Sequence, residues 1–179
     1  SFAFHVNGVA LFAKGANWVP CDALPARQTR AVLDDLLSSA VEVHMNMIRV
    51  WGGGQYESED FYDLCDEKGL LVWQDFMFSC STYPATADFL SSVEEEARYQ
   101  VKRLRDHACI ALWCGNNEDL GALNWFPASR DNRDRYLVDY DRLTEGVLGR
   151  VVDECDPTRS FWPSSPCGGR GDYSDNWHD

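Results

Sequence analysis

Long apolar runs are missing from this chain of 179 residues, and no stretch approaches the ~20 residues of a membrane span. Basic charge is scarce: 16 Lys and Arg stand against 29 Asp and Glu, for a net charge of −13. A surface of that sign cannot replace phosphate counterions and is repelled by anionic lipid, which excludes nucleic acid and membrane surfaces as partners. A neutral ligand or an uncharged polymer fits better. The 4 histidines are scattered and no two of the 7 cysteines form a C-x-x-C pair, so zinc-ligand spacing is absent and no metal or cofactor is expected. The odd cysteine count leaves at least one thiol unpaired. The thiols read as small buried hydrophobes, which favours a reducing, cytoplasmic setting. No N-x-[ST] sequon occurs, and the start "SFAFHVNG" shows no basic-then-apolar leader pattern. There is also no Ser-His-Asp elbow, no metal-binding helix and no dinucleotide fingerprint. Gly52–Gly54 lacks the Lys of a phosphate loop and suits a tight turn.

What is present is an alternation of extended and helical patterns. "FAFHVNGVALFAKGAN" predicts two extended runs around the hairpin signal Asn7-Gly8, the second ending at Asn17. Leu33, Leu36, Leu37, Ala40 and Val43 then recur at helical spacing, followed by the strand "MNMIRVW". Ser58 suits an N-cap and Gly69 the end of the next helix, which carries Phe61, Leu64 and Cys65 inward. "LLVWQDF" is the third strand, Leu90 to Leu104 the third helix and "CIALWCG" the fourth strand. Tyr140, Leu143, Val147 and Val151 mark a fourth helix, and "SFWPSS" a fifth strand. Strand–helix alternation implies a parallel sheet with right-handed crossovers. Asn17, Arg49, Asp75, Asn117 and Glu118 all fall at C-terminal ends of predicted strands. A barrel brings those ends to one face, whereas an open doubly wound sheet spreads them along an edge. The expected fold is therefore α/β: the N-terminal part of a (β/α)8 TIM barrel, about five βα units after a short hairpin, in one incomplete domain over residues 1–179. Its first and fifth strands would be open edges that invite self-association.

The chemistry concentrates in "LWCGNNEDL", residues 112–120, where an apolar strand ends in two amides and an acid. Glu118, with Trp113 and other aromatics as walls, would titrate above the ordinary carboxyl range and suit a general acid. The same residues also suit a bare turn or cap. Arg49 lies in a strand buried on both faces and needs an anion, with Asp75 on the next strand as the expected partner. The 7 tryptophans are many for this length, and aromatic faces beside polar groups suit sugar rings. About half of them are expected in the core, Trp73 and Trp113 first among these.

"KGANWVPCD", "NMIRVWGGGQYESEDFYDLCDEKGLLVWQDFMF", "ALWCGNNED" and "FWPSSP" together resemble the catalytic barrel of the β-mannosidase branch of glycoside hydrolase family 2. The resemblance runs through essentially the whole chain, in order. It implies a retaining exo-β-mannosidase acting on terminal β-D-mannose of β-mannosides or manno-oligosaccharides. Glu118 would be the acid/base and Asn117 the amide that meets the sugar 2-hydroxyl. Arg49 would position the nucleophile, and Trp51, Asp75 and Trp162 would line the sugar subsite. Asn17 and Trp18 would lie at the pocket floor, and Trp177 falls in a loop where the family places aromatics. The family's nucleophile, a Glu ending a seventh strand, has no counterpart here, so the chain alone is expected to be inactive. The accessory β-sandwich domains are also missing, with only the hairpin at Ser1–Phe12 in their place. A sister family 2 glycosidase (β-glucuronidase, β-galactosidase or exo-β-glucosaminidase) and a non-catalytic carbohydrate-binding module are the alternatives.

Overall fold

The computed structural model describes residues 3–174, which leaves Trp177 outside the described residues. A two-stranded antiparallel ribbon, β1 (Phe4–Val6) and β2 (Val9–Leu11), comes first. Asn7 and Gly8 turn it with φ of 52° and 80°, the mirror-image turn whose twist matches flanking strands. The long extended run predicted after Gly8 is split, because Phe12–Lys14 carries the chain from the ribbon to a second sheet.

That sheet holds β3 (Gly15–Trp18), β4 (Met47–Val50), β5 (Leu71–Asp75), β6 (Ile110–Cys114) and β7 (Ser160–Trp162). They are all parallel and in sequence order, and among the described residues the sheet does not close into a barrel. Consecutive parallel neighbours joined by helices are the repeating unit of a βα barrel. The chain is thus α/β, with the expected order of strands and the ribbon in front.

The helices cover one sheet face. α1 (Arg30–Glu42) is capped by Thr29, whose hydroxyl accepts from the Val32 N–H at 3.4 Å. It buries Leu33 and Leu37, while Leu36 is 40% exposed. Leu36 sits about 100° around the helix from Leu37 and so points away from the sheet. α2 (Glu59–Lys68) begins after Ser58, which makes no side-chain cap bond, contrary to the sequence expectation. Glu59 and Asp60 in its first turn favour that end instead. Gly69 closes α2 in the left-handed conformation, φ 68°. α3 (Ala87–Leu104) lays Val93, Ala97, Val101 and Leu104 on the sheet.

Beyond β6 come the short α4 (Asp119–Ala122) and α5 (Pro127–Asp131), then α6 (Arg133–Leu143), a π-helical turn at Thr144–Gly149 and α7 (Arg150–Cys155). The sequence pattern predicted one regular helix there, and the inserted π turn shifts which side chains face inward. Leu33, Leu37, Phe61, Val101, Val151 and Val152 pack on Ile48, Val50, Val72, Phe76, Ile110 and Trp113 as one core. The opposite sheet face carries Arg49, Trp73, Asp75 and Cys114 at alternate positions. An open recess of about 600 Å³ lies there, lined by Phe4, Leu11, Phe12, Met47 and Trp73. No helix among the described residues is long and apolar enough to cross a membrane.

Candidate active site

The carboxyl ends of β4, β5 and β6 bring polar groups together on the face opposite the helices. Asp75 ends β5 with no exposed surface. Its carboxylate accepts from Arg49 Nη2 at 2.9 Å, Arg49 Nε at 3.3 Å, the Gly52 N–H at 2.9 Å and Trp73 Nε1 at 2.8 Å. Burial pushes the Asp75 carboxyl up, and the Arg49 guanidinium pulls against it. Arg49 also lies over the Trp73 ring, 5.3 Å from its centre. Trp73 is therefore half-buried beside the polar cluster rather than part of the core. Gly52 is needed for this approach, since a Cβ there would come within 2.5 Å of the Phe78 carbonyl and 2.7 Å of the Phe76 carbonyl.

Arg49 Nη2 reaches across to Asn117 Oδ1 at 3.0 Å. The Asn117 amide donates to Ser79 Oγ and Cys80 Sγ, both at 3.3 Å. Its backbone is also held, with N–H to the Phe78 carbonyl at 3.0 Å and carbonyl from the Cys80 N–H at 2.8 Å. Glu118 follows with φ 64°, a conformation that a residue with a Cβ enters at a cost of about 1–2 kcal/mol. Its N–H donates to the Ser165 carbonyl at 2.9 Å, which fixes the turn. Its carboxylate stays half-buried and accepts from the Cys80 thiol at 3.3 Å. Cys80 is itself left-handed, at φ 53°. Two strained non-glycine residues in contact at a cluster of buried polar groups are the pattern of a functional site.

The neighbouring amide has a different task. Asn116 is 1% exposed and accepts from Ser164 Oγ at 2.6 Å and from the Asp119 N–H at 3.2 Å, while its amide donates to the Pro163 carbonyl at 3.0 Å. It fastens the β7 loop to the turn and has no group left over for a ligand.

Arg49, Asp75, Asn117 and Glu118 are thus gathered. Asn17 pairs in register with Arg49 on the same face and lines an open recess beside it. Trp162 shares the face through its register with Cys114. Trp51 follows β4, its N–H bonded to the Trp18 carbonyl at 3.2 Å, with its indole folded over Gly53. Trp18 is placed on the helix side, 5.0 Å from the Phe61 ring with its indole donating to Glu57 at 3.1 Å. Trp113, expected as a wall for Glu118, also points to the helices, stacks on Phe76 at 5.6 Å and donates to Asp156 at 2.9 Å. Strand alternation explains this: Trp113 is out of phase with Cys114. The groups beside Glu118 are Cys80 and the Ser165 carbonyl. Ser79 and Cys80 escape sequence reasoning, and their only signal is a polar "SCS" past the third strand; Ser165 lies in the quoted "FWPSSP", but nothing there announces its contact with Glu118.

A second titratable group lies near the opposite end of β6. His107 Nδ1 meets Asp66 at 2.7 Å, its Nε2 meets Glu59 at 3.2 Å, and Asp66 also accepts from the Cys109 N–H at 2.6 Å. Asp66, His107 and Cys109 offer ligand-type atoms within 4.8 Å of one another, although the sequence spacing gave no hint of it. The carboxylate and imidazole are already satisfied by each other, which makes this an ion-pair clamp.

Parallel βα units with a polar cluster at the carboxyl ends of the strands match part of a TIM-barrel glycosidase. In sequence the chain is similar to β-mannosidases. It is 45% identical over 179 residues to the Bos taurus β-mannosidase, covering 99% of this chain and 20% of the relative. β-Mannosidase B of Emericella nidulans is 41% identical over 175 residues, 94% of this chain and 21% of the relative. The crystal structure of β-D-mannosidase from Dictyoglomus thermophilum superposes with a TM-score of 0.87 at 44% identity, over 95% of this chain and 20% of that one. A β-glucuronidase from Bacteroides uniformis shares the fold, with a TM-score of 0.69 at 23% identity over 88% of this chain and 19% of that one. No family model matches the chain. The chain spans about a fifth of the length of these relatives.

Proposed function

We propose that this chain is the N-terminal part of the catalytic barrel of a retaining exo-β-mannosidase, and that Glu118 is its general acid/base. The observation that carries the reading is the joining of Arg49, Asp75 and Asn117, and through Cys80 of Glu118, into one hydrogen-bonded cluster at the strand ends, in a chain similar to β-mannosidases over nearly all of its length. Retaining hydrolysis uses two carboxyls about 5–5.5 Å apart, one to protonate the leaving oxygen and then activate water, the other to attack the anomeric carbon. Glu118 is half-buried, and its one side-chain partner among the described residues is the weak Cys80 thiol donor, which leaves carboxyl oxygen available to a leaving group. Asp75 is a poor nucleophile, because it is fully buried and its oxygens accept four hydrogen bonds. Its task is to hold Arg49, which in turn holds Asn117 Oδ1 and so fixes the side chain that would meet the sugar 2-hydroxyl, in exchange for its bonds to Ser79 and Cys80. The nucleophile belongs to a part of the longer protein outside this chain. Asn17, Trp51 and Trp162 would line the sugar pocket, while Trp18 would act only through packing.

The isolated chain is expected to be inactive on aryl β-mannosides and to associate through the open edges of β3 and β7. In the full-length protein, Glu118→Gln tests the role. Its kcat/KM on a β-1,4-mannobioside should fall by about 10²–10⁴, the usual worth of general acid catalysis. With a dinitrophenyl β-mannoside, whose leaving group needs no proton, it should stay within a few-fold. Equal loss on both would overturn the assignment. Faster turnover of β-glucuronides, β-galactosides or β-glucosaminides than of β-mannosides would overturn the substrate class.

A further inference from the structure

Next to Glu118 stands a carboxyl that the reaction does not use. Asp119 is 4% exposed. Its Oδ1 accepts from the Ser81 N–H at 3.2 Å, and its own N–H donates to Asn116 Oδ1 at 3.2 Å. Ser81 directly follows Cys80, whose thiol touches Glu118 Oε2 at 3.3 Å and whose N–H holds the Asn117 carbonyl at 2.8 Å. One side chain therefore joins two segments, each one residue beyond a left-handed residue, and those two residues are the pair in contact.

From this geometry we infer that Asp119 is a positioning residue: by holding the Ser81 backbone it keeps Cys80 against Glu118 and so fixes where the proton-donating carboxyl points. The inference rests on the reading of Glu118 as the acid/base. Asp119 does not meet substrate. It lines a narrow pocket with Ser81, Tyr83, Leu123 and Tyr140, and that pocket has a volume of about 10 Å³. Such a space admits about one water and no sugar. Desolvation moves the Asp119 carboxyl up to about 8, so at neutral pH it holds Ser81 mainly as a neutral group. Releasing the tie lets the Cys80 segment relax out of its strained conformation, and Glu118 then loses its only side-chain partner among the described residues.

The test compares Asp119→Asn and Asp119→Leu in the full-length enzyme. Asn keeps the acceptor and Leu has similar shape without it. The readout is kcat/KM on a β-1,4-mannobioside and on a dinitrophenyl β-mannoside, with thermal melting to follow folding. Asp119→Leu should lose about tenfold or more on the mannobioside, a share of the general-acid effect, and about twofold or less on the activated substrate. Asp119→Asn should be rescued to within about threefold of the parent on both, because an amide oxygen is an equivalent acceptor. A merely structural role lowers both substrates equally, and that result, or an Asn variant as poor as Leu, or a Leu variant without loss, overturns the proposal. If Asp119→Leu does not melt cooperatively, Asp119→Ala is read by the same criteria; failure of both to fold makes Asp119 a folding residue and also overturns it. Glu118→Gln runs alongside. If it shows no leaving-group dependence, the assignment of Glu118 fails; if it does and Asp119→Leu does not, only the role of Asp119 fails.

Discussion

The two ends of β6 treat charge in opposite ways. At the N-terminal end, Arg159 donates to the carbonyls of Ile110, Arg105 and His107 at 2.6, 2.6 and 2.8 Å and pairs with Asp156 at 3.0 Å, while His107 sits between Asp66 and Glu59. Each charged group there has a partner, and no non-glycine residue from 104 to 114 has positive φ. At the C-terminal end, Cys80 and Glu118 are both forced into the left-handed region, Asp75 and Asp119 are buried carboxyls, and the Glu118 carboxylate accepts only a thiol among the described residues. Stability has been concentrated at one end and spent at the other, which is the division of labour of a βα barrel.

The sharpest way to break that contrast is Arg49→Met. It keeps the apolar stem and leaves Asp75 with no cation while fully buried. Breaking one side of such a pair costs about 3–5 kcal/mol. For a protein of this size that is a fall of roughly 10 °C in melting temperature. A fall of only a degree or two would mean that Gly52 and Trp73 suffice to hold Asp75.

The next effect is the reverse in sign. The Asp119 carboxyl ionises near 3.8 in the unfolded chain and at about 8 in the fold. Between those values unfolding releases a proton, so its contribution to stability declines as pH rises from about 4 to 8. Asp119→Asn removes that decline. It should raise the melting temperature at pH 7.5 by on the order of 5 °C and by much less at pH 4. A gain that does not grow with pH would contradict the buried neutral carboxyl.

Much of this contrast was legible in the sequence, and the reasons differ by residue. The strand order and the strand-end positions of Arg49, Asp75, Asn117 and Glu118 follow from periodicity, because each strand is an apolar run with a polar stop. Pairing Arg49 with Asp75 needed only the rule that a buried cation requires an anion. What the sequence hid is orientation. A continuous apolar strand carries no alternation, so Trp73 and Trp113 look alike, yet one faces the polar cluster and the other the helices. Contacts between loops were hidden too. Cys80 meets Glu118 across 38 positions, and nothing local to either residue announces it.

Strain offers a smaller test. Glu118→Asn places a residue tolerant of the left-handed region at φ 64° and should stabilise the fold by about 1 kcal/mol while removing the proposed acid. The same exchange at Glu42, which ends α1 in ordinary helical conformation, should not stabilise. A Glu118→Asn variant that melts below the parent would mean that the contact with Cys80 outweighs the strain.

The smallest expected effect belongs to the stable end and has its own pH signature. Burial pulls the His107 pKa down, but hydrogen bonds and charges from Asp66 and Glu59 outweigh it and hold the imidazole above its ordinary 6.5. Asp63 faces the same ring at 4.0 Å, and Arg103, bonded to Glu59, tempers the negative field. A group whose folded pKa is raised stabilises most below its unfolded pKa, and the gain is lost as pH climbs through the folded value. The clamp should therefore weaken above about pH 6.5. His107→Asn should lower the melting temperature by one or two degrees at pH 6, about 0.5 kcal/mol, and make no difference near pH 9. Both ends then lose stability toward alkaline pH for unrelated reasons: a cation discharged at the base, a carboxyl forced to ionise at the top. Melting curves of His107→Asn, Asp119→Asn and the double variant separate the two. If the double variant keeps the full alkaline decline of the parent, neither group is its source and the contrast between the ends fails.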